Sequence, residues 1–152
     1  MFTQAASERQ FLHRLNRIQL VIIWLMIPLI LLSAIYFLVV GEVRMQGDSM
    51  APALQPEAVA FYLRSPWYRT PRRGDVLFIQ VSSRVTEIKR LVGVPGDTIL
   101  SGATVVVLKS DQYFVVGDNR NDSIDSRSYG LIHANQILGK VVNVTSHGPA
   151  FP

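Results

Sequence analysis

The strongest feature of the hydrophobic pattern is an apolar run near the start of the chain. Residues 18–40 read IQLVIIWLMIPLILLSAIYFLVV, in which Gln19 is the only strongly polar residue and none is charged. At about 1.5 Å per residue, a helix of this length crosses the roughly 30 Å of hydrocarbon in a bilayer. The run therefore predicts a transmembrane helix, and Pro28 is tolerable inside it because neighbouring groups can satisfy the freed carbonyl.

Beyond residue 40 the pattern changes to short apolar and β-branched runs between turn signals. None of these runs has the length or period of a helix, and the segments between them are rich in Gly, Pro, Asp, Asn and Ser. The pattern predicts a mostly β fold, in which one N-terminal transmembrane helix precedes an antiparallel sheet that closes or folds on itself. The predicted strands cover residues 58–63, 75–81, 87–94, 104–108, 113–117 and 137–144.

The charges beside the apolar run predict its orientation. Three arginines precede the run, whereas Arg44 is the only basic residue among the twenty that follow it, and basic flanks stay on the cytoplasmic side. A cleavable signal peptide would have an apolar core of roughly 7–15 residues and a small-x-small cleavage site, and the sequence VVGEVRMQG offers no such site. We expect a cytoplasmic N-terminus over 1–17, an uncleaved anchor over 18–40 and an extracytoplasmic β domain over 41–152.

Composition excludes several classes of function. The chain has no cysteine, which removes disulfides, thiol nucleophiles and zinc-cysteine sites. Its net charge is +4, and residues 41–152 hold twelve Lys and Arg against ten Asp and Glu. A balance this close to neutral gives no indication of nucleic-acid binding.

One candidate nucleophile follows the anchor by eight residues, in the segment MQGDSMAPAL. Ser49 would need a base to take its proton and backbone N–H donors to stabilise the oxyanion. Gly47 permits a sharp turn and a close approach of substrate, and Pro52 would stiffen the exit of the turn. Taken alone, the segment equally describes an ordinary turn.

Two kinds of base are available to Ser49. The order Ser49, Asp125, His133 fits a Ser…Asp…His triad, but the fold that carries it needs a parallel sheet and helices, which the strand pattern does not supply. Lys89 lies in the apolar run IKRLVGV, where burial would remove the hydration of an ammonium and favour the neutral amine. The alternative is a strand lysine whose charged end reaches water.

A polar segment follows at residues 117–130, GDNRNDSIDSRSYG. A solvated loop could have this composition. It could equally form a network in which Asp–Arg pairs fix the backbone and serine hydroxyls orient a neighbouring amine.

Taken together, these segments resemble the type I signal peptidases, which are membrane-anchored Ser/Lys-dyad proteases. GDSMAPAL is similar to the family's serine box, RRGDVLFI to its Arg-Gly-Asp strand, IKRLVGVPGDTI to its lysine box and GDNRNDSIDSRSYG to its Gly-Asp-Asn-Arg box, in the family's order. The resemblance covers about residues 18–144. It implies a β module with a coiled, barrel-like core at the membrane surface.

The resemblance also assigns roles to residues. It implies that Ser49 is the nucleophile, that Lys89 is the general base, and that Ser123 hydrogen-bonds the lysine. The Ser49 backbone N–H would form part of the oxyanion hole, with a second donor unassigned near Gly47. Supporting ion pairs are implied between Asp118 and Arg90 and between Asp125 and Arg127.

Three departures from the family pattern stand out. Ala53 replaces the usual threonine of the serine box. Gly47 stands where many Gram-negative members carry a serine whose hydroxyl completes the oxyanion hole. Only 27 residues separate Lys89 from Gly117, so the large insertion of some members is absent and the sequence corresponds to a minimal catalytic module.

The implied function is removal of signal peptides from exported preproteins at a plasma membrane, through an acyl-enzyme on the outer side. Substrates would carry small residues at the first and third positions before the cut, and no metal or cofactor is required. Three alternatives stay open: a dedicated peptidase for conjugative-transfer pilins or another propeptide, a self-cleaving Ser/Lys repressor-type protein, and a non-catalytic membrane-anchored β domain that binds partners. The repressor would need a DNA-binding segment where residues 1–40 hold an anchor.

Overall fold

The apolar run lies within one long helix. The computed structural model describes residues 2–101 and 104–145, and in it α1 (Phe2–Val39) is followed at once by strand β1 (Val40–Arg44). The segment Asn16–Val39 has a mean hydropathy of 2.6 and is long and apolar enough to cross a membrane. The helix ends one residue before the predicted end at Val40, because Val40 already pairs with Leu63 in the sheet.

Every run predicted as a strand forms one, and the described residues form three further strands. The strand β1 was missed because only its first residue, Val40, belongs to the apolar run, and the remaining GEVR includes two charged residues. The other two are Thr98–Ser101, which lies in a segment between predicted strands, and Ile132–His133, which has only two residues. The elements after β1 are β2 (Val59–Arg64), β3 (Val76–Gln80), β4 (Thr86–Gly93), β5 (Thr98–Ser101), β6 (Thr104–Val107), β7 (Gln112–Val116), α2 (Ser126–Tyr129), β8 (Ile132–His133), a 3-10 turn (Ala134–Gln136) and β9 (Ile137–Thr145).

Seven of the strands form one antiparallel sheet in the order β1-β2-β9-β3-β4-β7-β8. The strands β5 and β6 pair separately as a hairpin. The large sheet is a curled half-barrel, and its register shifts at three places: β9 has one extra residue opposite β2 and another opposite β3, and β4 has one opposite β7. Extra residues of this kind bend a strand and increase its twist. The predicted fold class, a mostly β domain after an N-terminal apolar helix, is confirmed.

The central strand β3 is buried on both faces, which explains why its sequence VLFI does not alternate with polar residues. Leu77 and Ile79 pack on one face, and Phe78 packs on the other. The Leu77 face also holds Leu91, Tyr113, Val115, Ile132 and Ile137, and the Phe78 face holds Met45, Met50, Leu54, Ala60, Tyr62 and Ile88.

Pairing with β3 determines where the side chains of β4 point. Lys89 lies opposite Leu77 and Glu87 lies opposite Ile79. Residues opposite each other in an antiparallel pair share a face of the sheet. The β4 strand therefore brings two charged side chains to the same face as the apolar cluster around Leu77.

We expect this cluster to dominate the stability of the β domain. Leu91 is fully buried, and Leu91→Ala should lower the free energy of unfolding by about 2–5 kcal/mol because it leaves a cavity. Leu100 is 70% exposed, so Leu100→Ala is a matched control that should change stability by less than about 0.5 kcal/mol. Thermal and urea unfolding of the purified chain in detergent would measure the stability of both variants. Equal losses of stability in the two would contradict a dominant role for this cluster.

Candidate active site

Ser49 lies in a turn between β1 and β2 that is anchored in the core. Its neighbour Met50 is fully buried, and the Ala51 amide donates to the Asp48 carbonyl at 2.9 Å. Gly47 has a φ of 79°, and nothing lies within 4 Å of the position a Cβ would occupy there. The requirement for glycine at this position is therefore conformational, since L-residues rarely adopt a left-handed backbone.

The turn borders a cavity of about 690 Å³. Strand β4 and the loop 121–124 form other parts of its lining. Ser49, Lys89 and Ser123 all line this cavity. The fold thus brings together three residues that lie 40 and 34 positions apart in the sequence.

Lys89 is buried inside this cavity, with only 3% of its side chain exposed. Its Nζ lies 3.5 Å from Oε2 of Glu87, and the Tyr129 hydroxyl donates to the same oxygen at 3.4 Å. Neither Glu87 nor Tyr129 was predicted from the sequence as a site residue. The two-residue alternation of a strand could have indicated Glu87, whereas no local signal connects Tyr129 to Lys89.

Ser123 belongs to a second polar group, which is centred on Asp125. The Ser123 hydroxyl and the Gly117 amide each donate to Asp125 Oδ2 at 3.0 Å. Arg127 donates from Nε to Oδ1 and from Nη2 to Oδ2, both at 2.8 Å. No hydrogen bond joins Ser123 to Lys89 in the part of the chain that the structure describes, so that predicted contact stays a prediction.

The hydrogen bonds determine the charge state of Asp125. Burial alone would raise the pKa of this fully buried carboxyl. The hydrogen bonds from Arg127, from the amides of Gly117 and Arg127, and from the Ser123 hydroxyl outweigh burial and hold the pKa of Asp125 well below its usual range. Asp125 is therefore a carboxylate at neutral pH.

Arg90 fixes the same loop to the sheet from another direction. Its Nε and Nη2 donate to the two carboxylate oxygens of Asp118, at 2.7 and 2.6 Å. Its Nη1 donates to the Gly74 carbonyl at 2.9 Å. Next to Asp118, the Asn119 amide donates to the Ser49 carbonyl at 3.0 Å. The loop is therefore attached both to the lysine strand and to the serine turn.

His133 is not part of this arrangement. Its Nδ1 lies 2.8 Å from Asp111 Oδ2, and His133 does not line the cavity that contains Ser49. Asp125 is instead paired with Arg127. Within the described residues, the order Ser49, Asp125, His133 forms no triad.

The segments that line this cavity lie within the region that matches one known protein family. The family model described as "Signal peptidase, peptidase S26" matches residues 17–108 and 101–145, which is most of the chain. The chain belongs to the S26 signal peptidase family. This confirms the family predicted from the four sequence boxes.

Several curated proteins are similar to this S26 chain. It is 25% identical to signal peptidase I of Leptolyngbya laminosa over 68% of each protein, and 27% identical to signal peptidase IB of Staphylococcus aureus over 79% of this chain and 85% of that protein. It is 36% identical to the mitochondrial ATP-independent inner membrane protease subunit 1b of Arabidopsis thaliana, over 63% of this chain and 64% of that protein.

A crystal structure of signal peptidase I from Enterococcus faecalis matches with a TM-score of 0.42 at 22% identity. The match covers 49% of this chain and 98% of that one.

We expect the Asp125 network to make the domain sensitive to acid. Because the folded pKa of Asp125 lies below the ordinary value of about 3.9, its contribution to stability is complete above that value and is lost as pH falls towards the folded pKa. Asp125→Asn should cost about 1–3 kcal/mol at neutral pH, because it leaves buried donors poorly paired. The variant should also lose less stability than the parent between about pH 5 and 2.

Urea unfolding of both proteins across this pH range would measure the two effects. Asp122→Asn is a matched control, since Asp122 is exposed in the same loop and its replacement should leave both quantities near the parent's. If the free energy of unfolding of Asp125→Asn depended on pH as the parent's does, this would contradict the role of the Asp125 carboxylate.

Proposed function

We propose that this chain is a membrane-bound serine endopeptidase that removes signal peptides from exported preproteins, with Ser49 and Lys89 as its dyad. Membership of the S26 family supports signal-peptide cleavage as the activity. The observation that carries the dyad is that Ser49 and the buried Lys89 line one cavity. A serine and a buried amine that line one cavity fit the requirement of a weak nucleophile for a nearby base.

In this mechanism the neutral amine of Lys89 accepts the proton of the Ser49 hydroxyl. The freed electron pair of Oγ attacks the carbonyl carbon of the scissile bond and forms a tetrahedral oxyanion. As the intermediate collapses, the Lys89 ammonium gives its proton to the leaving amine, and an ester to Ser49 remains. Water then hydrolyses the ester, with Lys89 again as the base.

The oxyanion needs donors that are free to point at it. The Ser49 amide is one candidate, since it donates to no protein acceptor within residues 2–101 and 104–145. The second donor stays unassigned near Gly47, which has no side-chain hydroxyl to offer.

The remaining predicted residues would support the dyad without touching substrate. Asp125, with Arg127 and Ser123, holds the loop that contributes to the cavity wall. Arg90 with Asp118 ties the same loop to the strand of Lys89. We infer that loss of either ion pair loosens the site and does not remove a reacting group.

The apolar helix supports a location of this chemistry at a membrane. We propose that residues 1–17 are cytoplasmic, that 18–40 span the plasma membrane and that 41–152 lie on the outer side. Only eight residues, 41–48, separate the anchor from Ser49, and even fully extended they reach about 30 Å. A preprotein held in the same membrane by its signal helix would meet the enzyme at a raised effective concentration. Small residues at the first and third positions before the cut are the expected specificity.

The dyad is tested by replacing each member separately. The purified chain in detergent should cleave a preprotein that carries an Ala-x-Ala site, and Ser49→Ala and Lys89→Ala should each lower kcat/KM by at least about a thousandfold, because a dyad acts as a unit. Lys109→Ala removes an exposed lysine and should leave cleavage unchanged.

The outcomes separate the alternatives. Equal cleavage by the parent and both dyad variants would show that the nucleophile is a residue other than Ser49. Absence of cleavage by the correctly folded parent would count against a general signal peptidase and favour a dedicated substrate or a binding domain.

A second prediction concerns Gly117, which is closely packed against Ser123 and the serine turn. A Cβ on this residue would collide with the Ser123 side chain and with the Ser49 carbonyl oxygen. Gly117→Ala should therefore displace the serine turn from the loop. Because small misplacements of reacting groups are costly, we expect kcat to fall by about a hundredfold.

Steady-state kinetics together with thermal unfolding would check this variant. The expected result is a fall in kcat larger than the change in KM in a protein that is still folded. An unchanged kcat would show that Ser49 tolerates displacement and would argue against its role as the nucleophile.

A further inference from the structure

A carboxylate stands next to the proposed base. Glu87 and Lys89 lie two residues apart on β4, with Oε2 of Glu87 3.5 Å from Nζ of Lys89, and both line the cavity that contains Ser49. A general base must be neutral before it accepts a proton, whereas a carboxylate at this distance favours the ammonium. The contact therefore opposes the proposed first step.

This carboxylate is held in place by the fold and is not a solvated surface group. Only 24% of the Glu87 side chain is exposed, and β3 places the apolar Ile79 opposite it. The Tyr129 hydroxyl donates to Oε2 at 3.4 Å. Burial, and next the charge of Glu87, raise the pKa of Tyr129, so its hydroxyl remains a donor to Glu87 at neutral and moderately alkaline pH.

Other charged groups around the pair have other partners or face water. The buried carboxylate of Asp125 is paired with Arg127. Asp48 and Asp122 line the cavity but are exposed, and Arg44 lies 3.8 Å from Glu57. Strand β3 contributes only the apolar Leu77 and Ile79 to this face. On the other side of β3, Lys140 of β9 lies opposite Leu77 and pairs with Asp75. Within the described residues, Glu87 is the one carboxylate in ion-pair contact with Lys89.

We propose that Glu87 is a positioning residue that holds Lys89 in the cavity as a resting ammonium and thereby sets the lower pH limit of cleavage. The inference rests on the proposed function, since it describes how the proposed base is controlled. It also explains how a lysine can be buried without an uncompensated charge, because the ion pair offsets part of the desolvation cost. Removal of the carboxylate should free the amine at lower pH and loosen its position.

The pH dependence of kcat/KM tests the proposal, with the parent compared against Glu87→Gln. In the variant we expect the acidic limb to move to lower pH, so that kcat/KM exceeds the parent's on that limb. On the alkaline plateau it should fall below the parent's, because Nζ is no longer held. Glu42→Gln is the matched control: it removes one negative charge from an exposed position on β1 and should leave the limb in place.

A second measurement reads the lysine without relying on activity. The chain contains three lysines, at positions 89, 109 and 140, so ¹³Cε-lysine NMR of the detergent-solubilised chain should give three signals, assigned with Lys109→Arg and Lys140→Arg. In Glu87→Gln the Lys89 signal should titrate at lower pH than in the parent. The Lys109 signal, and that of Lys140, which pairs with Asp75, should not move.

The two measurements separate failure of this inference from failure of the proposed function. The role of Glu87 is overturned if folded Glu87→Gln has the same acidic limb of kcat/KM as the parent and the same NMR titration of the Lys89 signal. If the parent cleaves nothing, or if Ser49→Ala cleaves as well as the parent, the proposed function fails, while the NMR titration still tests the contact. If Glu87→Gln does not fold, Glu87→Asp replaces it: the carboxylate is drawn back by one methylene, and an unmoved Lys89 titration overturns the proposal.

Discussion

The arrangement of the site depends on one buried carboxylate. Asp125 has no exposed surface, and it accepts hydrogen bonds from the Gly117 amide, the Ser123 hydroxyl and Arg127. A buried charge without such partners would be strongly unfavourable. The loop 117–127 is therefore held in the conformation that satisfies Asp125, and this conformation brings Ser123 and the Asn119 amide to the serine turn.

Strand β4 connects the loop 117–127 to the proposed base, because two adjacent residues of the strand make different contacts. Arg90 extends to Asp118 and the Gly74 carbonyl, whereas Lys89 points into the cavity beside Glu87. Successive side chains of a strand point to opposite faces, so one strand can serve both tasks. The same geometry allows a small antiparallel sheet to hold a serine turn, a lysine and a polar loop together without large insertions.

In this member of the signal peptidase family, Glu87 has opposite effects on the stability of the buried Lys89 and on the proposed chemistry. A carboxylate near Lys89 reduces the cost of burying an ammonium, but it also disfavours the neutral amine that the proposed mechanism needs. Tyr129 fixes that carboxylate from α2, an element far away in sequence. Strand β4 and the segment 117–130 are therefore linked by the Tyr129–Glu87 hydrogen bond as well as by the Arg90–Asp118 pair.

The sequence by itself determined the apolar helix, six of the strands and the family, because these depend on local periodicity and on boxes of adjacent residues. It also named Ser49, Lys89, Ser123 and both supporting Asp–Arg pairs as candidates. It missed β1, whose short sequence VGEVR includes two charged residues, and it missed Glu87 and Tyr129. Tertiary structure alone decided that pairing with β3 buries the face of β4 that carries Glu87 and Lys89, and that the Tyr129 hydroxyl reaches Glu87. Those contacts arise from strand register and burial between segments far apart in the chain, and no local pattern of residues encodes them.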